Sequence, residues 1–310
     1  MRFHQNQHMT RTILPALLLI FFISSCKKEK GTAHEPNLVL KFKFDPAQVR
    51  LNNIGQPQPM PAGHAGQSPT FNKMSAHYVE LTPTALTALG SGAVLYRAPE
   101  TTIGGSNAID FDKSKFAGNN ETFFSIPLKD IAPGDYEWLR ISLAYQNYDV
   151  KYYIDTVISG ITIQQEFPGT VASFIGFNTY IKNYPIKNQS VTVNANKKQG
   201  YWGFETVVNF GGVNYPYNAT GQAPDGATTV VNPLFATSPI PPGSCLVTAA
   251  FTPGKLKITG NETSDVVIEV SLSINNSFEW VEIVNDGKWA PSKGEAVVDM
   301  GIRGMIPKIQ

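Results

Sequence analysis

The sequence predicts an all-β protein: an antiparallel β-sandwich of the jelly-roll or immunoglobulin-like kind, with one short helix. Apolar and polar residues alternate with period two in many segments, which is typical of strands with one buried face. Turns that contain Gly, Pro or Asn separate these segments, and no long amphipathic helical pattern follows residue 36. Many short strands joined by such turns favour two packed sheets.

The predicted strands follow this alternation along the chain. In the opening strand, Leu38, Leu40 and Phe42 share one face, while Lys41 and Lys43 lie on the other. Because only one face is apolar, we expect this strand to cover a core with that face. Further strands are predicted over 76–81, 93–97, 122–127, 139–145, 150–158, 161–167, 171–181, 190–194, 201–208, 245–251, 255–259, 266–274, 278–284 and 295–301.

One segment, 82–90, has the signals of a short helix. Thr82 is a suitable N-cap, Pro83 suits the first helical position, and Gly90 is a suitable stop. The spacing therefore predicts about two helical turns, the only helix expected in the chain.

The domain organisation follows from composition along the chain. The stretches 55–70 and 211–243 are rich in Pro, Gly and polar residues, and we interpret them as surface loops. No repeat of fixed period and no sharp change in composition divides the chain. We therefore expect one β-sandwich domain over 37–310, with a division into two subdomains near 183–190 as the alternative.

The charge balance restricts the classes of partner. Lys and Arg number 25 against 24 Asp and Glu, so the formal net charge is +1. A protein that binds nucleic acid through its phosphates needs a basic excess, which this chain lacks. We therefore expect no nucleic-acid partner. With 42% apolar and 16% charged residues, the composition also argues against intrinsic disorder.

The N-terminal residues 1–25 have the pattern of an export signal. Arg2 and Arg11 precede an apolar run over 13–23, and residues 1–25 contain no acidic residue. The run has eleven residues, whereas a bilayer span needs about 20. A basic start followed by a short apolar run predicts a secretory signal peptide, with an uncleaved anchor as the alternative.

The signal ends in Ile23-Ser24-Ser25-Cys26, which resembles a bacterial lipobox. The resemblance implies cleavage before Cys26, with a diacylglycerol and an acyl chain attached to that residue. The polar residues 26–36, beginning Cys26-Lys27-Lys28, resemble the tether of lipoproteins of the Bacteroidota. We therefore expect a lipid-anchored protein of the outer membrane, on either its cell-surface or its periplasmic face, with no other cofactor.

Aromatic and amide side chains cluster in one part of the sequence. Flat aromatic rings beside Asn amides offer both stacking and paired hydrogen bonds, as a sugar-binding surface requires. The alternative is that Trp202 belongs to the core and the Asn residues only form turns. The candidate ligand-binding residues are Tyr201, Trp202, Asn209, Asn214, Tyr215 and Tyr217.

The sequence offers no pattern for a catalytic or metal site. Beyond residue 25 the histidines are His34, His64 and His77, which are far apart in sequence. No His-x-His or Glu-x-x-His spacing occurs, and no Gly-x-Ser-x-Gly motif marks a nucleophile. We therefore predict neither a catalytic residue nor a metal ligand.

The segment from Glu282 to Glu295 contains an Asp-Gly turn that superficially resembles a calcium-binding loop. If Gly287 takes the glycine position of such a loop, Val284 and Lys293 fall where oxygen ligands are required. We therefore interpret this segment as a hairpin turn.

The exported region is similar in layout to the MbnP-like periplasmic copper-binding domain. The similarity rests on the opening strand, on 131–139 (IAPGDYEWL), on Tyr201-Trp202 and on Gly211-Gly212. It implies a β-sandwich and a copper site. Members of this family tend to carry His just before the Gly-Gly pair, where this chain has Asn209 and Phe210, so one copper ligand is missing.

Three functional hypotheses follow. The first is a non-catalytic lipoprotein that binds a glycan or a partner protein. The second is a periplasm-facing copper-binding module of the MbnP-like type. The third is a glycoside-active enzyme, because the spacing of a catalytic carboxylate pair is set by the fold and cannot be identified in the sequence.

Overall fold

The computed structural model describes residues 34–158, 160–173, 176, 178–223 and 246–310. The predicted signal peptide, Cys26 and the start of the tether lie outside these ranges, as do residues 224–243 of the second predicted loop. In the described residues the predicted all-β class is confirmed. No helix in these ranges is long and apolar enough to cross a bilayer.

Most described strands have ten residues or fewer, and three have 13 to 21 residues. In chain order they are β1 (Asn37–Asp45), β2 (His64–Gln67), β3 (Thr70–Thr82), β4 (Ala93–Arg97), β5 (Glu100–Thr101), β6 (Ala108–Asp110), β7 (Thr122–Pro127), β8 (Gly134–Tyr136), β9 (Trp138–Ile158), β10 (Ile161–Ser173), β11 (Thr179–Pro185), β12 (Ser190–Lys197), β13 (Tyr201–Phe210), β14 (Val213–Gln222), β15 (Leu246–Ala250), β16 (Leu256–Ile258), β17 (Val266–Ser273), β18 (Phe278–Val281), β19 (Val297–Met300) and β20 (Met305–Ile309).

The described strands form packed sheets within one compact unit, Glu35–Gln310. The largest sheet has the order β14-β13-β10-β9-β3-β4, and β15 also pairs with β9. Four-stranded sheets have the orders β20-β17-β1-β7 and β12-β11-β6-β5, beside the smaller sheets β19-β18-β2 and β16-β8. Pairing is antiparallel except for β1 with β17 and β6 with β11, which are parallel.

The main core lies between the β1 sheet and the largest sheet. Leu40 and Phe42 of β1 are fully buried and pack with Val270 of β17. Leu139 and Ile141 of β9 close this core from the other sheet. The apolar face predicted for the opening strand is therefore the face that covers the core, and burial of its side chains is the main stabilising contribution of the strand.

A bulge in β9 changes which residues face each side of the largest sheet. The register with β3 passes from Tyr145 directly to Leu143, so Ala144 is the extra residue. The Ala144 carbonyl accepts a hydrogen bond from Gly176 N at 2.6 Å instead. Odd-numbered residues face the main core before the bulge, whereas even-numbered ones, such as Gln146, face that side after it. The sequence predicts two strands here, and the structure shows one continuous strand.

The predicted helix over 82–90 is wrong. Thr82 is the buried last residue of β3, and 83–90 contain turns and bends but no helix. The Thr82 hydroxyl donates to the Thr84 carbonyl at 3.0 Å, and the hydroxyls of Thr84 and Thr87 lie 2.8 Å apart. These local hydrogen bonds offer the chain an alternative to helical ones, which is the usual effect of closely spaced Thr residues.

Both predicted surface loops contain a strand. β2 lies within 55–70, and β14 occupies 213–222 of the predicted loop 211–243. Gly211 and Gly212 have φ values of 58° and 80°, which suit a two-residue hairpin turn. This turn pairs Phe210 with Val213 and continues the register through all of β14.

The 183–190 stretch connects β11 to β12 through a tight turn. The buried carboxylate of Glu205, on β13, accepts hydrogen bonds from the backbone N–H groups of Lys187, Asn188 and Gln189. The turn is thereby joined to the largest sheet by charge-assisted hydrogen bonds.

Candidate functional site

The β13–β14 hairpin carries all six candidate ligand-binding residues, but it divides them between two faces. Directly opposed residues in an antiparallel pair point to the same side. Trp202 pairs with Gly221, Thr206 with Tyr217, and Val208 with Tyr215. Because side chains alternate along each strand, Trp202, Tyr215 and Tyr217 share one face. Tyr201, Asn209 and Asn214 lie on the opposite face.

The residues of that opposite face form no aromatic site. Tyr201 is buried, and its ring centroid lies 5.2 Å from that of Tyr184 in a separate core. Asn209 Nδ2 donates to Asn214 Oδ1 at 2.7 Å across the end of the exposed hairpin. The two amides therefore bind each other, about as far from Tyr201 as the hairpin allows.

The face of Trp202 and Tyr217 forms one wall of a cavity of about 740 Å³. Tyr152 of β9 and Phe204 of β13 continue that wall. Residues of the C-terminal part form the facing wall, including Phe278, Trp289 and the stretch 297–302. Tyr215 lies beyond the cavity wall and is 53% exposed.

Glycines in neighbouring strands allow the aromatic wall to form. A Cβ atom on Gly221 would lie 2.4 Å from the Trp202 ring, and one on Gly169 would lie 2.5 Å from the Phe204 ring. Both rings therefore lie directly against backbone, where any side chain would displace them. Such covering of a strand glycine by an aromatic ring holds the ring in a fixed position.

Edge-to-face contacts connect the aromatic residues across the cavity. The ring centroids of Phe204 and Tyr152 are 5.7 Å apart, and those of Phe204 and Trp289 are 6.4 Å apart at an interplanar angle of 88°. Trp289 also meets Phe278 at 4.7 Å. The Trp289 N–H donates to the Glu295 carbonyl at 3.1 Å, so its polar atom is satisfied and its rings line the cavity.

Two carboxylates organise the loop that carries Trp289. Glu295 accepts hydrogen bonds from the backbone N–H groups of Ile283, Val284 and Ala290. Glu282 accepts those of Asp286 and Gly287, at 2.7 and 2.8 Å. The two acidic residues that bound the segment are thus used within the loop between β18 and β19.

Few polar side chains reach the cavity, and one of them is a deeply buried amide. Gln146 is 1% exposed, and its Oε1 has no hydrogen-bond partner among the described residues. Thr206 is satisfied, since its hydroxyl donates to the Pro168 carbonyl at 2.7 Å. Asp299 forms an ion pair with Arg303. The cavity therefore combines aromatic walls with a polar inner end.

An ion-pair network lies behind Asp299. Arg303 also forms an ion pair with Glu279. The Glu279 carboxylate forms a second ion pair with Arg50, and its Oε1 lies 2.6 Å from the Nδ1 atom of His64. Burial raises the pKa of Glu279, but the hydrogen bonds from His64 and Arg50 and the charges of the two arginines outweigh it. The net pKa of the carboxyl is lowered, so Glu279 is an anion at neutral pH.

The described residues contain no group of three or more His, Cys, Asp and Glu side chains that could hold a metal ion. His77 Nε2 lies 2.9 Å from Glu100 Oε1. Burial lowers the pKa of His77 in spite of this contact. Sequence reasoning identified Trp202 and Tyr217 but left out Phe204, which alternation along β13 places on the face of Trp202. It missed Trp289 and Gln146, because their approach to Trp202 depends on the packing of distant strands.

Comparison with known proteins gives no relative from which a function could be carried over: no family model, no curated protein and no solved structure matches the chain.

Proposed function

We propose that this protein is an outer-membrane-anchored lipoprotein whose β domain binds a compact ligand in the aromatic cavity without chemical change. The anchor is argued from the lipobox ending at Cys26. Two acyl chains would suffice for stable attachment, because a single chain binds a membrane only marginally.

The observation that carries the binding function is the cavity itself. Its volume of about 740 Å³ falls within the range of roughly 300–1,000 Å³ usual for small-molecule sites. Trp202 and Tyr217 present flat rings that can stack on a sugar or on another ring system. The opposed wall comes from elements joined through the core, so the site is largely formed before any ligand arrives.

Two tyrosines of β14 provide a matched test. Tyr217 lines the cavity and Tyr215 does not, although both lie on the same face and are 57% and 53% exposed. The mature chain carrying Cys26→Ser can be titrated calorimetrically with N-phenyl-1-naphthylamine and with neutral oligosaccharides. We expect Tyr217→Ala to weaken binding at least tenfold and Tyr215→Ala to leave it unchanged. Binding that responds equally to both substitutions, or to neither, would overturn the assignment.

A second candidate function is capture of a partner protein at β14. This ten-residue strand ends the largest sheet and contains no charged residue. Its outer edge pairs with no described strand, and an open edge can accept a strand from another chain. Val213→Lys and Thr220→Lys should abolish cross-linking to envelope proteins while cavity binding persists. Unchanged cross-linking in this variant would exclude the edge.

A further inference from the structure

The inner end of the cavity contains a buried hydrogen-bonding group that the folded chain does not use. Gln146 is 1% exposed, and its Oε1 has no partner in the described part of the chain. Leaving a buried polar group unpaired destabilises the fold, so such groups are rare in folded proteins. A buried amide whose oxygen is unpaired, on a residue that lines a cavity of ligand size, is the arrangement expected when the partner is a ligand.

The position of Gln146 is set by the bulge at Ala144. Without that extra residue, the alternation along β9 would direct Gln146 to the opposite side, where Tyr145 and Asn147 now lie. On that side both amide atoms of Asn147 have partners: its Nδ2 donates to the Ile186 carbonyl at 2.7 Å, and its Oδ1 accepts from Asn72 Nδ2 at 3.0 Å. The bulge thus places an amide among aromatic residues, and bulges often re-aim side chains near functional sites.

The charges around the cavity restrict the ligand further. Among the described lining residues, Asp299 is the only acidic or basic side chain, and it is bound to Arg303. No Lys or Arg lines the described cavity wall, so a carboxylate or phosphate would enter without a cation to meet it. Burying an unpaired anion is far more costly than burying a neutral hydroxyl.

We propose that the ligand is a neutral, mainly apolar ring compound with a hydroxyl group that binds the Gln146 amide. A hydroxyl can donate to Oε1 and accept from Nε2, so it satisfies the amide in either orientation. The apolar body packs against the rings of Trp202, Tyr217 and Trp289 that line the cavity. The inference rests on the proposed cavity function, because it names the ligand class for the same site.

A series of four naphthalenes tests this assignment on the mature Cys26→Ser chain at pH 7. 2-Naphthol carries the hydroxyl, 2-methoxynaphthalene can only accept a hydrogen bond, naphthalene has no polar group, and 2-naphthoate is an anion. We expect 2-naphthol to bind about tenfold more tightly than each of the other three compounds.

Substitutions at Gln146 identify the group responsible. Gln146→Leu should bind 2-naphthol and naphthalene equally, and Gln146→Met serves as a second variant if the first folds poorly. Gln222→Leu is the control, because Gln222 lines the cavity while its Nε2 already donates to the Gln199 carbonyl at 2.7 Å. The control should keep the preference for 2-naphthol.

The outcomes separate this inference from the cavity function. Equal binding of the four compounds to the unsubstituted chain, or a preference that survives Gln146→Leu, overturns the ligand class. If Tyr217→Ala still weakens that binding, the cavity function stands. If none of the naphthalenes binds and N-phenyl-1-naphthylamine does not bind either, both the ligand class and the cavity function for apolar rings are wrong.

Discussion

The indole ring of Trp202 lies directly over the backbone of Gly221, its cross-strand partner on β14. The absence of a side chain at Gly221 is therefore what leaves room for the Trp202 ring at the cavity wall. The position of the Trp202 ring therefore depends on Gly221, because any side chain there would displace the ring.

Gly221→Ala should displace Trp202 from the cavity wall. The new Cβ would lie 2.4 Å from the ring, which is closer than atoms can approach. We expect the free energy of unfolding to fall by about 1 kcal/mol, which is small for overpacking because the strand lies at the edge of the sheet. We also expect weaker binding of N-phenyl-1-naphthylamine. Urea unfolding and tryptophan fluorescence measure the two effects. Thr220→Ala, on the exposed opposite face, should change neither by a measurable amount.

Gln146→Leu should stabilise the protein in the absence of ligand. The substitution replaces a buried amide whose oxygen is unpaired with an apolar side chain of similar size. We expect the free energy of unfolding to rise by about 1–2 kcal/mol. A decrease measured by urea unfolding would mean that the amide has a stabilising partner within the protein.

Glu279→Gln should be strongly destabilising. The substitution removes the negative charge that two buried arginines share, and we expect a loss of about 3–5 kcal/mol in the free energy of unfolding. Glu269→Gln is the matched control. Glu269 lies near the surface, 3.7 Å from Lys43 and 3.9 Å from Lys308, so its loss should cost less than about 1 kcal/mol. Similar losses in both variants would contradict the role given to the buried network.

The advantage of Glu279 over Gln at this position should depend on pH. The pKa of Glu279 is lower in the folded protein than the ordinary value of 4.5. Its ionisation therefore stabilises the fold fully above about pH 4.5, and this contribution is lost as pH falls through the folded-state pKa. The difference in unfolding free energy between the unsubstituted chain and Glu279→Gln should shrink from pH 7 to pH 3. A difference that stays constant over this range would disprove the linkage.

Local patterns predict the strands with one buried face well. The predicted bounds of β4 and β7, 93–97 and 122–127, agree with the structure. The alternation in β1 identifies its core-facing residues, because a half-buried strand must separate apolar from polar side chains. Neither property requires knowledge of the pairing partner.

Two features were missed because their cause is not local. β14 is exposed on both faces along most of its length, so its sequence shows no alternation, and Pro216 further weakens the strand pattern. Gly211-Gly212 was the available signal for this hairpin. β9 was divided at 146–149, just past the bulge at Ala144. That bulge reverses the alternation, so Tyr145 faces away from the core that Leu139 and Leu143 cover.

The candidate site was predicted only in part for the same reason. The sequence placed six residues together because they are close along the chain, but alternation separates Tyr201, Asn209 and Asn214 from the cavity face. Phe278 and Trp289 reach Trp202 and Phe204 only through packing of the C-terminal strands on the largest sheet. A contact between such distant segments has no signature in a single sequence.

The parallel pairing of β1 with β17 has a consequence for the order in which the chain can fold. Leu38 is matched to Val266 and Asp45 to Ser273, so the first strand acquires this neighbour only near the end of synthesis. β20, on the far side of β17, follows later still. Contacts between such distant segments form slowly, since a long loop must close before they stabilise anything. The main core therefore cannot be completed on a partly made chain, and folding to the native state must wait until nearly all of it has been synthesised.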